Sequence, residues 1–179
     1  MKAVFFDRDD TLMENVPYLG DPAKVKLLPG AIEAIRALEQ AGFALFLVTN
    51  QSGVGRGLLT PAQVKAVNDE TVRQLGHPAF REIYSAFAHP GGQGNHALSD
   101  RKPSPQLLFR AAREHGIALG ASFFVGDRLG DVLCGRNAGC RTALVRTGEN
   151  AKEWERAGRL ADFAADSLAE IAAWIVEQK

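Results

Sequence analysis

Phe43-Ala44-Leu45-Phe46-Leu47-Val48 is apolar throughout and runs directly into Thr49-Asn50-Gln51-Ser52-Gly53. An unbroken apolar run of this length fits a strand covered on both faces, as in a parallel sheet between two helical layers. The residues before it agree. Leu28-Pro29-Gly30 opens a helix with Ile32, Ile35 and Leu38 on one face, and Gly42 closes it.

The alternation continues in both directions. Ala3-Val4-Phe5-Phe6 reads as a first strand. Thr60-Pro61-Ala62-Gln63 places an N-cap Thr, a Pro at the first helical position and a Gln three after the cap, opening a helix to about Leu75 that Gly76 ends. Ile83 to Phe87 is a third strand. Ser104-Pro105 starts a helix that ends near Gly116. Ser122 to Val125 is a fourth strand, Leu129 to Ala138 a helix stopped by Gly139, and Thr142 to Val145 a fifth strand. Ser167 and Glu170 form a second capping box before a helix with Leu168, Ile171 and Ile175 inward. Strands alternating with helices predict a three-layer α/β fold with a parallel sheet.

The 179 residues, 46% of them hydrophobic, suffice for one domain with a real core. Lys plus Arg equal Asp plus Glu, so no broad basic field draws nucleic acid or an anionic membrane. Cys134 and Cys140 read as free thiols of a reducing compartment. Charge arrives at Asp7 too early for a signal peptide, and no apolar run approaches the ~20 residues that span a bilayer. These features predict a cytoplasmic protein, and the lack of a large apolar stripe predicts a monomer.

In a parallel α/β sheet, ligands bind beyond the carboxyl ends of the strands. The residues there are chemical. Asp7-Arg8-Asp9-Asp10-Thr11-Leu12 follows the first strand. Two carboxylates this close raise each other's pKa unless a cation relieves them, and a hard cation such as Mg2+ does so while leaving room for phosphate. Thr49 to Gly53, after the second strand, offers a hydroxyl and backbone N–H groups for phosphate oxygens. Arg101-Lys102-Pro103 places cations beside a helix cap at Ser104. Gly126-Asp127-Arg128-Leu129-Gly130-Asp131 adds Asp127 as a further metal carboxylate; Asp131 suits either a helix N-terminus or the metal. Alone, each is an ordinary polar loop. Four strand ends carrying complementary chemistry point to metal-assisted phosphoryl transfer.

Asp7-x-Asp9-x-Thr11, Thr49, Lys102 and Gly126-Asp127-x-x-x-Asp131 resemble, in order, the four motifs of the haloacid dehalogenase superfamily of phosphatases. Asp7-Arg8-Asp9, Thr49 to Gly53, Arg101-Lys102-Pro103 and Val145-Arg146-Thr147-Gly148 resemble a narrower group acting on heptose bisphosphate or histidinol phosphate, and Gln51 to Gly57 looks closer to the heptose branch. The resemblance implies a Rossmann-like hydrolase domain over residues 1–179. Asp7 would be the nucleophile, Asp9 the acid and base, and Thr49 and Lys102 the stabilisers of the phosphoryl group. Asp7, the Asp9 carbonyl and Asp127 would hold Mg2+. Arg101, Asn15, Tyr18, Asn50, Gln51 and Ser52 would contact a small phosphorylated metabolite.

The stretches between motifs are too short for an inserted cap domain, so specificity falls to loops near 13–28, 51–59 and 88–101. Two positions depart from the group. Asp10 stands where Gly is usual, and Asp tolerates left-handed turn geometry better than most residues. The loop before Arg101 carries Ala86, Ala88, Leu98 and Asp100 where relatives have zinc ligands, so structural zinc is expected to be absent. His89, His96 and Asp100 form a weak alternative metal set across a Gly-rich turn. A receiver-type signalling domain also uses acidic residues, a Thr and a Lys. It is shorter and carries its phosphorylated Asp on a later strand. A catalytically dead binding protein fits less well, because no catalytic motif residue is missing.

Overall fold

The computed structural model describes residues 1–76, 80–92, 97–147 and 151–178, for 151 and 152 the backbone only. In chain order the elements are β1 (Ala3–Phe6), α1 (Ala31–Gln40), β2 (Ala44–Asn50), α2 (Pro61–Gln74), β3 (Phe80–Ala86), α3 (Gln106–His115), β4 (Phe123–Gly126), α4 (Leu129–Ala138), β5 (Arg141–Val145), α5 (Ala151–Leu160), β6 (Phe163–Ala165) and α6 (Leu168–Glu177). The six strands form one sheet in the order β3-β2-β1-β4-β5-β6, and every pairing is parallel.

Strand periodicity sorts the core into two layers. Val4, Phe6, Leu45, Leu47 and Val125 face α1 and α6, where Ile35, Leu38, Ile171 and Ile175 meet them. Phe5, Phe46, Val48 and Phe124 face α3 and α4, against Leu107, Leu108, Ala111 and Cys134. Both faces of β1 and β2 are therefore dry, which is why their sequences do not alternate.

The capping box of α2 is present: Gln63 N–H donates to Thr60 Oγ1 at 3.2 Å and Thr60 N–H to Gln63 Oε1 at 2.9 Å. At α6 only half of the expected box forms: Glu170 N–H donates to Ser167 Oγ at 3.3 Å, and Glu170 Oε1 accepts from the Ser167 hydroxyl at 2.7 Å rather than from the Ser167 backbone N–H. Three expectations are corrected. Strand β3 begins at Phe80 rather than Ile83; it is a sheet edge, where exposed Arg81 and Glu82 are tolerated. Helix α3 begins at Gln106, with Pro105 rather than Ser104 at the cap and no side-chain cap bond. Helix α5 and strand β6 lie between β5 and α6, where the sequence suggested neither.

The amino terminus is fixed at the amino edge of the sheet. The Met1 ammonium donates to the Gly116 carbonyl at 2.7 Å, and Ala118 N–H donates to the Met1 carbonyl at 2.9 Å. No helix among the described residues is long and apolar enough to cross a membrane.

Candidate active site

The opposite, carboxyl edge of the sheet gathers the predicted residues. Asp7 follows β1, Thr49 and Asn50 end β2, and Asp127 follows β4. Lys102 arrives from the long connection after β3. Its backbone is held by Asn50, whose Nδ2 donates to the Lys102 carbonyl at 3.2 Å and whose Oδ1 accepts from its N–H at 3.0 Å. Both ends of the Asn50 amide therefore hold the Lys102 backbone, and the residue also lines the cleft in which it is expected to meet substrate.

Lys102 Nζ is buried and lies 2.7 Å from Asp7 Oδ1, 2.7 Å from Asp131 Oδ1 and 2.9 Å from the Val48 carbonyl. Burial pulls its pKa down, but the charges of Asp131 and Asp7 outweigh this and hold the ammonium above the ordinary lysine range. Burial pushes the Asp131 carboxyl up to about 6, with Lys102 opposing the rise and Asp7 adding to it. Asp131 also caps α4, accepting from Arg128 N–H at 3.0 Å. The expected place at a helix N-terminus is therefore observed, and the same carboxylate reaches Lys102.

Asp7, Asp127 and Asp131 are all buried and bring one carboxylate oxygen each within 4.8 Å of one another. Against the Lys102 ammonium and the Arg128 guanidinium, whose Nε lies 3.5 Å from Asp127 Oδ2, the three carboxylates still form a hard, oxygen-only donor set with excess negative charge, and Mg2+ fits it. The Asp9 side chain lines the cleft over this cluster without joining it. It accepts from Arg8 Nη2 at 3.0 Å to both oxygens, and Oδ2 accepts from Gln51 Nε2 at 2.9 Å. Gln51 Nε2 also donates to Thr49 Oγ1 at 2.8 Å. Thr49 is buried, and its hydroxyl donates to no acceptor among the described residues.

A cavity of about 340 Å³ opens over this cluster, lined among others by Asp7, Asp9, Asn15, Asn50, Ser52, Arg101, Lys102, Arg128 and Glu153. A second hollow of about 290 Å³ adjoins it and shares Asp9, Asn15, Asn50, Ser52 and Arg128; Arg8, Tyr18, Gln51 and Gly53 are among its other lining residues. Arg101 Nη1 is buried with no hydrogen-bond partner among the described residues, a donor suited to an anionic ligand. The loop over residues 13–28 is pinned at its root by Leu28 N–H to the Leu12 carbonyl at 3.0 Å and Glu14 N–H to the Lys26 carbonyl at 2.8 Å.

Asp10 takes the left-handed conformation that Gly would adopt, with φ 56°. Its carboxylate accepts from Asn15 Nδ2 at 3.2 Å and lies 4.0 Å from Arg128 Nη2, so the extra charge is spent on the cleft wall. Burial, with Arg56 and Arg101 nearby, holds His89 below the ordinary histidine range. His96 and Gly148 lie outside the described residues. Arg8, Arg128 and Glu153 were not singled out from sequence. Arg128 adjoins Asp127 and was within reach of that reasoning; Glu153 lies on the helix that was missed.

Buried carboxylates and a lysine at the carboxyl edge of a parallel sheet define a phosphoryl-transfer site. Comparison with known proteins narrows the class. The HAD-hyrolase-like family model matches residues 99–171. The D-glycero-D-manno-heptose-1,7-bisphosphate 7-phosphatase of Chlorobaculum tepidum is 38% identical, over 93% of this chain and 90% of its own. The D-glycero-beta-D-manno-heptose-1,7-bisphosphate 7-phosphatase of Escherichia coli K12 is 34% identical, over 99% and 95%. The crystal structure of D,D-heptose 1,7-bisphosphate phosphatase from B. bronchiseptica, complexed with magnesium and phosphate, superposes with a TM-score of 0.84 at 29% identity and covers 100% of both chains. The chain belongs to the haloacid dehalogenase superfamily and is a phosphoric monoester hydrolase of that family.

Proposed function

We propose that the protein is a Mg2+-dependent phosphatase of small sugar phosphates and that its substrate is D-glycero-D-manno-heptose 1,7-bisphosphate. The reading is carried by the cluster of Asp7, Asp127 and Asp131, two of which pair with the Lys102 ammonium, beneath a cleft lined by Arg101 and Arg128. The names of relatives that match along the whole chain support the substrate. The same reading makes the protein a single-domain cytoplasmic monomer without structural zinc.

Asp7 attacks phosphorus, and its new O–P bond forms as the bond to the sugar oxygen breaks. Asp9 gives that oxygen a proton, then takes one from the water that releases phosphate from Asp7. Lys102 and the Thr49 hydroxyl stabilise charge spread over the phosphoryl oxygens. Mg2+, when bound by the Asp7 and Asp127 carboxylates and the Asp9 carbonyl, offsets the repulsion between nucleophile and phosphate. Arg101 meets a substrate phosphate through Nη1, and Asn15, Tyr18 and Ser52 line the sugar's path. Asn50 and Gln51 serve mainly by fixing Lys102 and Asp9.

The test is phosphate release from a panel containing heptose bisphosphate and histidinol phosphate. Activity is expected to require Mg2+, to favour the heptose and to vanish in Asp7→Asn. Turnover that survives Asp7→Asn, or needs no divalent metal, defeats the mechanism. A preference for histidinol phosphate defeats only the substrate.

A further inference from the structure

The side chain of Arg8 has no role in the chemistry above, yet it is among the largest fully buried side chains of the molecule. A buried guanidinium persists only where its donors are matched. Here Nη1 donates to Asn68 Oδ1 at 2.7 Å, while Nη2 and Nε reach the Asp9 carboxylate at 3.0 and 3.3 Å. Asn68 sits on α2, itself buried, and its Nδ2 donates to Ser85 Oγ on β3 at 3.2 Å. The chain Ser85–Asn68–Arg8–Asp9 thus runs from the sheet edge, beneath the cleft, to the carboxylate that handles the proton. Asn68 and Ser85 do not line the cleft over Asp7; both line a separate groove between α2 and β3.

We propose that Arg8 and Asn68 are positioning residues that set the Asp9 carboxylate for proton transfer. The proposal rests on the phosphatase reading and on the role it gives Asp9. A planar guanidinium fixed on one side by Asn68 presents its other edge to Asp9 in a single orientation, and Gln51 fixes the second oxygen from across the cleft. A general acid displaced by about 1 Å loses rate without losing substrate affinity.

The test is the leaving-group dependence of kcat/KM, which reports the first phosphoryl transfer. In that step a sugar alkoxide needs the Asp9 proton and p-nitrophenolate does not. Asn68→Leu removes the acceptor at similar volume; Asn68→Asp supplies a second carboxylate that competes with Asp9 for Arg8. In both, kcat/KM for the sugar phosphate is expected to fall at least tenfold more than for p-nitrophenyl phosphate, with KM for the sugar phosphate nearly constant. Asp9→Asn should show the same split in stronger form. Equal losses on both substrates, tracking a fall in Tm, would mean a merely structural role and overturn the proposal, as would no loss on either. If wild-type protein does not turn over, or Asp9→Asn shows no split, the parent reading fails and takes this one with it; a normal split in Asp9→Asn with none in the Asn68 variants sinks the positioning role alone.

Discussion

Lys102 has three N–H groups and three acceptors around it: the Val48 carbonyl, Asp7 and Asp131. A substrate phosphate must therefore share a proton already in use, and the lysine acts by charge and position rather than as an open anion site. Lys102→Met is expected to lower kcat by about 10²–10³, the range for removing one stabiliser of a transition state. It should also destabilise the metal-free protein by about 3–5 kcal/mol, because two buried carboxylates lose their counter-charge. Urea unfolding with and without EDTA, beside steady-state kinetics, checks both. At this scale the sequence was informative where a residue's role follows from its place after a strand: Asp7, Thr49 and Asp127 stand where expected, and Lys102 joins them. It was uninformative where the role depends on a distant partner. Asn50 looks like any polar residue after a strand until its amide is seen holding the Lys102 backbone, and nothing around Arg8 announces an Asn sixty positions on.

Elements carry the site through close approach. Gly126 ends β4 directly beneath the first turn of α4, and a Cβ there would lie 2.4 Å from Asp131 Cβ and 2.5 Å from its Cγ. Gly126→Ala must push α4 outward and carry Asp131 away from Lys102. We expect a stability cost of about 1–3 kcal/mol, typical of overpacking. The loss of kcat should exceed what the fall in Tm explains, measured at a temperature where the variant is fully folded. The strands and helices that the sequence announced are those with long apolar runs or strong caps, such as β2 and α2. Helix α5 eluded that reading because charged residues dominate it and Trp154, Ala157 and Leu160 form only a narrow stripe. Strand β6 is three residues long, too short for any period to show.

For the molecule as a whole, the two core layers determine what solvent can reach. Cys134 and Cys140 are buried in the layer beneath α3 and α4, and burial pushes both thiols up to about 12. In the unfolded chain a thiol ionises near pH ~8.5. Their contribution to stability is full below that value and is lost as the pH rises toward 12, because the unfolded state gives up protons that the folded state retains. Denaturant midpoints should fall between pH 8 and 10, more steeply than in Cys134→Ala. A thiol reagent at pH 8 should label the native protein only on the timescale of global opening. The all-parallel sheet has one more consequence. Met1 is hydrogen-bonded at the amino edge and the cleft opens at the carboxyl edge, so a handle grafted ahead of Met1 would sit on the blind side of the molecule. Protein anchored to a bead or chip through that handle would present its cleft outward to the passing solution, with diffusion to Asp7 unobstructed by the support.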